Sequence, residues 1–120
     1  MQSVQFLING DPAVARDAAT QILTERGFRL DWTSEWAAEA HKGSKAGVVL
    51  VGGLAQTFKV GLAVTSAGNN QSMIEFKREN TGWSGGLIGA SRVKKNMNTL
   101  RDEFTQAMTA RGMLAGVKET

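Results

Sequence analysis

The chain has 120 residues, enough for one domain with its own core, and its 42% hydrophobic and 21% charged residues exclude a disordered segment. With no cysteine and one histidine, His41, it excludes disulfides, thiolate catalysis, zinc–thiolate centres and metal sites built on several imidazoles within one chain. A formal net charge of +3, from 14 cations and 11 anions spread along the sequence, does not make the one-sided basic face of a nucleic-acid module, so a nucleic-acid partner is not expected. No run reaches the roughly 18 apolar residues of a membrane span, and the N-terminus carries no cationic region followed by an apolar stretch. A soluble, cytoplasmic protein is the expectation.

Residues 4–8, "VQFLI", read as a first strand with Val4, Phe6 and Ile8 on one face. Asp11 followed by Pro12 starts a helix: the carboxylate accepts from an orphan backbone N–H, and proline suits the first helical position. Val14, Ala15, Ala18, Ala19, Ile22 and Leu23 form its apolar stripe, and Gly27 suits the left-handed residue that ends it. The spacing predicts this helix over 12–26.

From Phe28 to His41 the pattern is alternating. Phe28, Leu30, Trp32, Ser34, Trp36, Ala38 and Ala40 fall on one parity, with Arg29, Asp31, Thr33, Glu35, Glu39 and His41 between them. That predicts a long two-faced strand, bent in its middle. Residues 35–42, "EWAAEAHK", also read as a short helix capped by Ser34, because alanine and glutamate favour helix. Both readings stand at this point. "GSKAG" is a turn, and "VVLVGG" a short buried strand. In "TFKVGLAVT" Phe58, Val60, Leu62 and Val64 share a face; "SAGNNQ" is a hairpin loop; "SMIEFKRE" is the next strand. Val93, Met97, Leu100, Phe104 and Met108 then recur at spacings of 4, 3, 4 and 4, the stripe of a long amphipathic helix. Gly112 stops it as Gly27 stops the first, "ARGM" repeating "ERGF". Residues 114–120 are expected to be a flexible tail behind a single domain of residues 1–113.

The predicted class is α+β: an antiparallel sheet of four to five strands, in the order β-α-β-β-β-β-α, with two helices packed on one face. This order of elements is similar to the helix-grip and TATA-binding-protein-like arrangements, in which a curved antiparallel sheet wraps a long C-terminal helix. The similarity is one of topology, and it implies a fold and no activity.

The segment "TGWSGGLIGASRVKK", residues 81–95, is the most unusual in the chain. Its glycines, Gly82, Gly85, Gly86 and Gly89, match neither the dinucleotide fingerprint nor the phosphate-binding P-loop. If a helix starts here, its first turns hold Arg92, Lys94 and Lys95 and no carboxylate before Asp102, a distribution that suits an anion at the free N–H groups. Alternatively Ser84 caps the helix while Trp83 and Ile88 staple it, with the cations simply in water. A third reading lets the glycines admit a second chain closely.

Trp32, Trp36 and Trp83, with Phe58, Phe76 and Phe104, would line an apolar pocket or would be ordinary core. Asp31, Glu35, Glu39 and His41 share a strand face, for which Lys59 or Lys77 are natural cross-strand partners. An open strand face is a poor cleft for acid–base catalysis. "GWSGG" misses the spacing of a nucleophile elbow. No metal or cofactor site is read. The alternate face of the central strand, Lys59, Gly61, Ala63 and Thr65, is small and flat, as suits a face covered by another subunit.

The sequence reading is therefore a small non-enzymatic assembly or partner-binding module, a homo-oligomer or one that docks a protein partner. The alternative is a carrier or sensor of an apolar or amphipathic small molecule with an anionic head. For that ligand the candidate residues are Trp32, Trp36, Trp83, Gly85, Gly86, Gly89, Arg92, Lys94 and Lys95.

Overall fold

The computed structural model describes residues 2–42, 58–78 and 86–120, and side chains throughout these ranges except in 86–93. Its elements are β1 (Ser3–Asn9), α1 (Pro12–Glu25), β2 (Phe28–Trp32), β3 (Ala37–Lys42), β4 (Phe58–Gly68), β5 (Gln71–Arg78), α2 (Gly86–Ala110) and β6 (Leu114–Glu119). The six strands form one antiparallel sheet in the order β2-β3-β4-β5-β1-β6. The α+β class is as expected, with one more strand than the sequence suggested.

The local reasons are legible. Asp11, in extended conformation, accepts a hydrogen bond from the Val14 N–H at 2.9 Å, and Pro12 opens α1. Gly27 and Gly112 close the two helices at φ +88° and +70°, a region a side chain disfavours. Behind Gly112 the Met113 N–H reaches back to the Met108 carbonyl at 3.0 Å, and that of Gly112 to Thr109 at 2.9 Å, the paired bonds of a Schellman stop. Asn69 and Asn70, at φ 50° and 59°, turn β4 into β5 in the positive-φ geometry that matches strand twist.

Both helices cover one face of the sheet. Val4, Phe6, Ile8, Val60, Leu62, Val64, Ile74 and Phe76 on the strands share one buried cluster with Ala15, Ala19, Ile22 and Leu23 of α1 and Met97, Leu100, Phe104 and Met108 of α2. The Phe104 ring sits 4.7 Å from that of Phe6 and 4.9 Å from that of Phe76, centroid to centroid, and anchors α2 over β1 and β5.

Two expectations are corrected. Residues 28–42 are neither one bent strand nor strand plus helix; they are the hairpin of β2 and β3, closed by a turn at 33–36. The Thr33 N–H donates to the Ala37 carbonyl at 2.9 Å, and the Trp36 N–H to the Ser34 hydroxyl at 3.3 Å. Residues 114–120, expected to be a flexible tail, instead supply β6, which pairs with β1 from Val4↔Glu119 to Ile8↔Leu114. Arg101 of α2 pins its end: Nη1 lies 2.6 Å from a Glu119 oxygen while Nε donates to Asp102 at 2.9 Å. Those hydrogen bonds, Asp102's first and then Glu119's, hold the guanidinium above its usual pKa. Ser3 and Thr120 join hydroxyl to hydroxyl at the last rung. The "GSKAG" turn and the "VVLVGG" strand lie outside the described residues.

Candidate functional site

The residues singled out for a ligand fall into separate places. Trp36 sits in the 33–36 turn, half-buried against the core, with the Arg16 guanidinium 4.7 Å above its ring. Arg16 also donates to the Glu35 carbonyl at 3.1 Å, so α1 holds the hairpin tip through a cation and an aromatic face. Trp32 ends β2 on the helix side of the sheet and is 39% exposed. Gly86 opens α2, and Gly89 and Arg92 lie in its first turns; Lys94 and Lys95 are exposed on it. Trp83 and Gly85 lie outside the described residues.

Trp32 and Trp36 lie at the turn end of the β2–β3 hairpin, whereas Lys94 and Lys95 lie beside its other end. Asn96, next to Lys94 and Lys95, shares a shallow hollow with Phe28, Lys42, Phe58, Thr99, Leu100 and Glu103, at the start of β2. Trp32 lies four residues further along that strand, about 13 Å away at roughly 3.3 Å per residue. The hollow has a volume of about 20 Å³, room for about one water, against the roughly 300 Å³ or more of small-molecule pockets. Beneath the middle of α2 the space is filled by Phe6, Phe76 and Phe104.

The other face of the sheet carries alternate residues that no described element covers. Its register is read directly from strand pairing. One row runs Arg29, His41, Lys59; the next Asp31, Glu39, Gly61, Lys77; the next Ala37, Ala63, Glu75, Gln5, Lys118; the last Thr65, Met73, Leu7, Gly116. Polar residues pair across strands: Lys59 with Glu39 at 2.8 Å, His41 Nε2 with Asp31 at 3.1 Å, and Gln5 donating to Glu75 at 3.0 Å. The Lys59–Glu39 pair is one of the cross-strand pairs that sequence alternation predicted; Glu35, grouped with these carboxylates by parity, is instead in the turn. His41 and its carboxylate partner lie on this flat face between Arg29 and Lys59, where they act as a strand-to-strand tie. Among the described residues no cluster of three His, Asp or Glu side chains is placed to hold a metal ion.

The feature that sequence reasoning missed is the outer edge of β2. This strand, Phe28-Arg29-Leu30-Asp31-Trp32, has β3 on one side and no described neighbour on the other. Its order is a mirror about Leu30: aromatic, cation, leucine, anion, aromatic. The signal was present in the residue order, and it needed the knowledge that these five residues form an edge strand. No family model matches the sequence, and a search of curated proteins finds no match.

Proposed function

We propose that this chain is a small non-enzymatic assembly module that joins copies of itself through its β-sheet. The observation that carries this reading is the uneven covering of the sheet. One face is packed under two helices, whereas no described element covers the other face or the outer sides of β2 and β6. Edge strands of proteins that stay monomeric are usually blunted by proline, bulges or inward charges, because free backbone groups template pairing with another chain. β2 has no proline and no register break. The small residues Ala37, Gly61 and Ala63 leave the centre of the open face flat enough for close approach by a second sheet.

A carrier of an apolar or amphipathic ligand is the second reading. It draws on the aromatic residues and on Arg92, Lys94 and Lys95 in the first half of α2, and it gains little from the filled space beneath α2. Among the described residues no helix is long and apolar enough to cross a membrane, and a cytoplasmic setting belongs to the same proposal.

Native mass spectrometry with light scattering across a concentration series tests both readings. Assembly predicts masses at multiples of the 12.9 kDa chain that persist on dilution to micromolar protein. A single-chain mass at every concentration overturns it; added mass that leaves on denaturation would turn the reading to a carrier.

A further inference from the structure

We propose that two copies of the chain join edge to edge through β2, antiparallel about a two-fold axis at Leu30, so that two six-stranded sheets become one continuous sheet. This rests on the reading that the chain self-assembles and names the surface and the register.

The backbone is oriented for it. In an antiparallel pair, residues alternate between those whose N–H and C=O groups face the partner strand and those whose groups face away. The Thr33 N–H bonds the Ala37 carbonyl, at the closing position of the β2–β3 ladder. By alternation Arg29 and Asp31 also spend their backbone groups on β3. Phe28, Leu30 and Trp32 turn theirs outward. The same parity holds one strand further in, where the Trp36 carbonyl accepts from Val64 of β4. Pairing Leu30 with Leu30 of a second copy therefore aligns outward groups with outward groups. It also sets Phe28 opposite Trp32 on both sides of the axis, for about six new backbone hydrogen bonds by that alternation.

The side chains agree with the same register. Arg29 falls opposite the second copy's Asp31, and Asp31 opposite its Arg29. These are non-hydrogen-bonded positions, where side chains approach most closely and opposite charges favour pairing. A register two residues away in either direction places Arg29 against Arg29 or Asp31 against Asp31, which like charges disfavour. On the helix side the same axis brings together the two Leu30 side chains and covers Trp32, one of the few large apolar residues left exposed. In the isolated chain Arg29 lies 3.4 Å from Asp31 along one strand, and His41 Nε2 meets the same Asp31 oxygen at 3.1 Å. Both Arg29 and Asp31 are more than half exposed, so the weak Arg29–Asp31 contact can give way to a cross-strand one while His41 stays on Asp31.

The opposite edge lacks these features. β6 carries a register shift opposite Leu7 and Ile8, and its outward order, Leu114-Ala115-Gly116-Val117-Lys118-Glu119, has no mirror. Glu119 is already engaged by Arg101. Bulges and lysine are the devices by which edges are kept from pairing.

The test uses charge reversal. Arg29→Asp and Asp31→Arg, each alone, are expected to weaken the homodimer at least tenfold in dilution experiments, since each places like charges opposite one another twice. Mixing the two variants restores complementary charges at both positions, so native mass spectrometry should show the heterodimer as the dominant dimer; circular dichroism confirms that each variant is folded. A second measurement leaves the charges intact. The cysteine-free chain accepts a single nitroxide label through Thr33→Cys, and this register predicts an inter-subunit distance of about 20 Å, six residues along the pair at roughly 3.3 Å each. Single variants that dimerise like the parent, or a label distance beyond about 40 Å, overturn the β2 register while self-assembly stands. A parent chain that stays monomeric overturns both.

Discussion

The two faces of this sheet are built by the same strands from alternate residues, and they do different physical work. On the covered face Val4, Phe6, Ile74, Phe76, Val60 and Leu62 lie within 2% of complete burial and share one buried cluster with Phe104 and Met108 of α2, the Phe104 ring packing on those of Phe6 and Phe76. On the open face the neighbours one residue away include Gln5, Glu75, Lys59, Gly61 and Ala63, where Gln5 donates to Glu75 and Lys59 pairs with Glu39, each side chain of that ion pair about a third exposed. Apolar burial contributes roughly 25 cal/mol per Å², whereas an exposed ion pair contributes about 0–1 kcal/mol. Stability is thus concentrated on one side. The residues on the other side are left to be chosen for what the surface meets.

The sharpest break in that contrast is Phe104→Ala. It removes the ring that both Phe6 and Phe76 pack against, in a site with 0% exposure. The expected loss is about 3–5 kcal/mol, read as a lower denaturant midpoint in urea titration. An equally large substitution on the open face, Ala63→Arg, should move the midpoint by no more than about 0.5 kcal/mol if that face meets water. A loss of several kcal/mol from Ala63→Arg would mean that the face is covered.

A middle-sized effect is expected where α2 hands the chain to β6. Gly112 has φ +70° and open space where a Cβ would stand, so Gly112→Ala meets no atom and carries only the backbone penalty. That penalty is about 1–2 kcal/mol. Thermal unfolding should show it, and hydrogen exchange should show the loss of protection spreading into β6. A neutral outcome would mean that the turn relaxes to another conformation without disturbing the Asn9–Met113 bond at 2.8 Å.

The same two faces explain what the sequence disclosed. Strand β4 was legible because Phe58, Val60, Leu62 and Val64 alternate without a break between one wet face and one dry one. The β2–β3 turn was not. Residues directly opposite in an antiparallel pair point to the same face, and here their numbers sum to 70, as in Trp32↔Ala38 and Leu30↔Ala40. An even sum joins residues of the same parity, so alternation continues through the hairpin as if the strand had never turned. β6 was lost for the opposite reason. Its bulge brings Leu114 and Val117 to the same face although they differ in parity, so the alternation is erased. As for the candidate site, the Lys59–Glu39 tie was legible from alternation, whereas the His41–Asp31 and Gln5–Glu75 ties were not. The ligand set was assembled from residue types, whereas the fold puts Trp32 and Trp36 at one end of a hairpin and Lys94 and Lys95 beside the other. The mirror order of β2 has meaning only once β2 is known to be an edge.

The smallest expected effect is the most informative about the open face. Lys59 and Glu39 are 2.8 Å apart, with about a third of each side chain exposed. A double-mutant cycle with Lys59→Met and Glu39→Gln isolates the pair from the other changes each substitution brings. In a solvated pair the coupling should be about 0.2–1 kcal/mol and should shrink as salt rises from 0.05 to 0.5 M, since the screening length falls well below 10 Å. A pair sealed beneath a second copy would behave differently: each single substitution would strand a buried charge at a cost of several kcal/mol, and salt would change little. Weak, salt-sensitive coupling would leave the open face in water and favour edge-to-edge assembly through β2. Strong, salt-insensitive coupling would favour face-to-face stacking, with Gly61 and Ala63 at its centre.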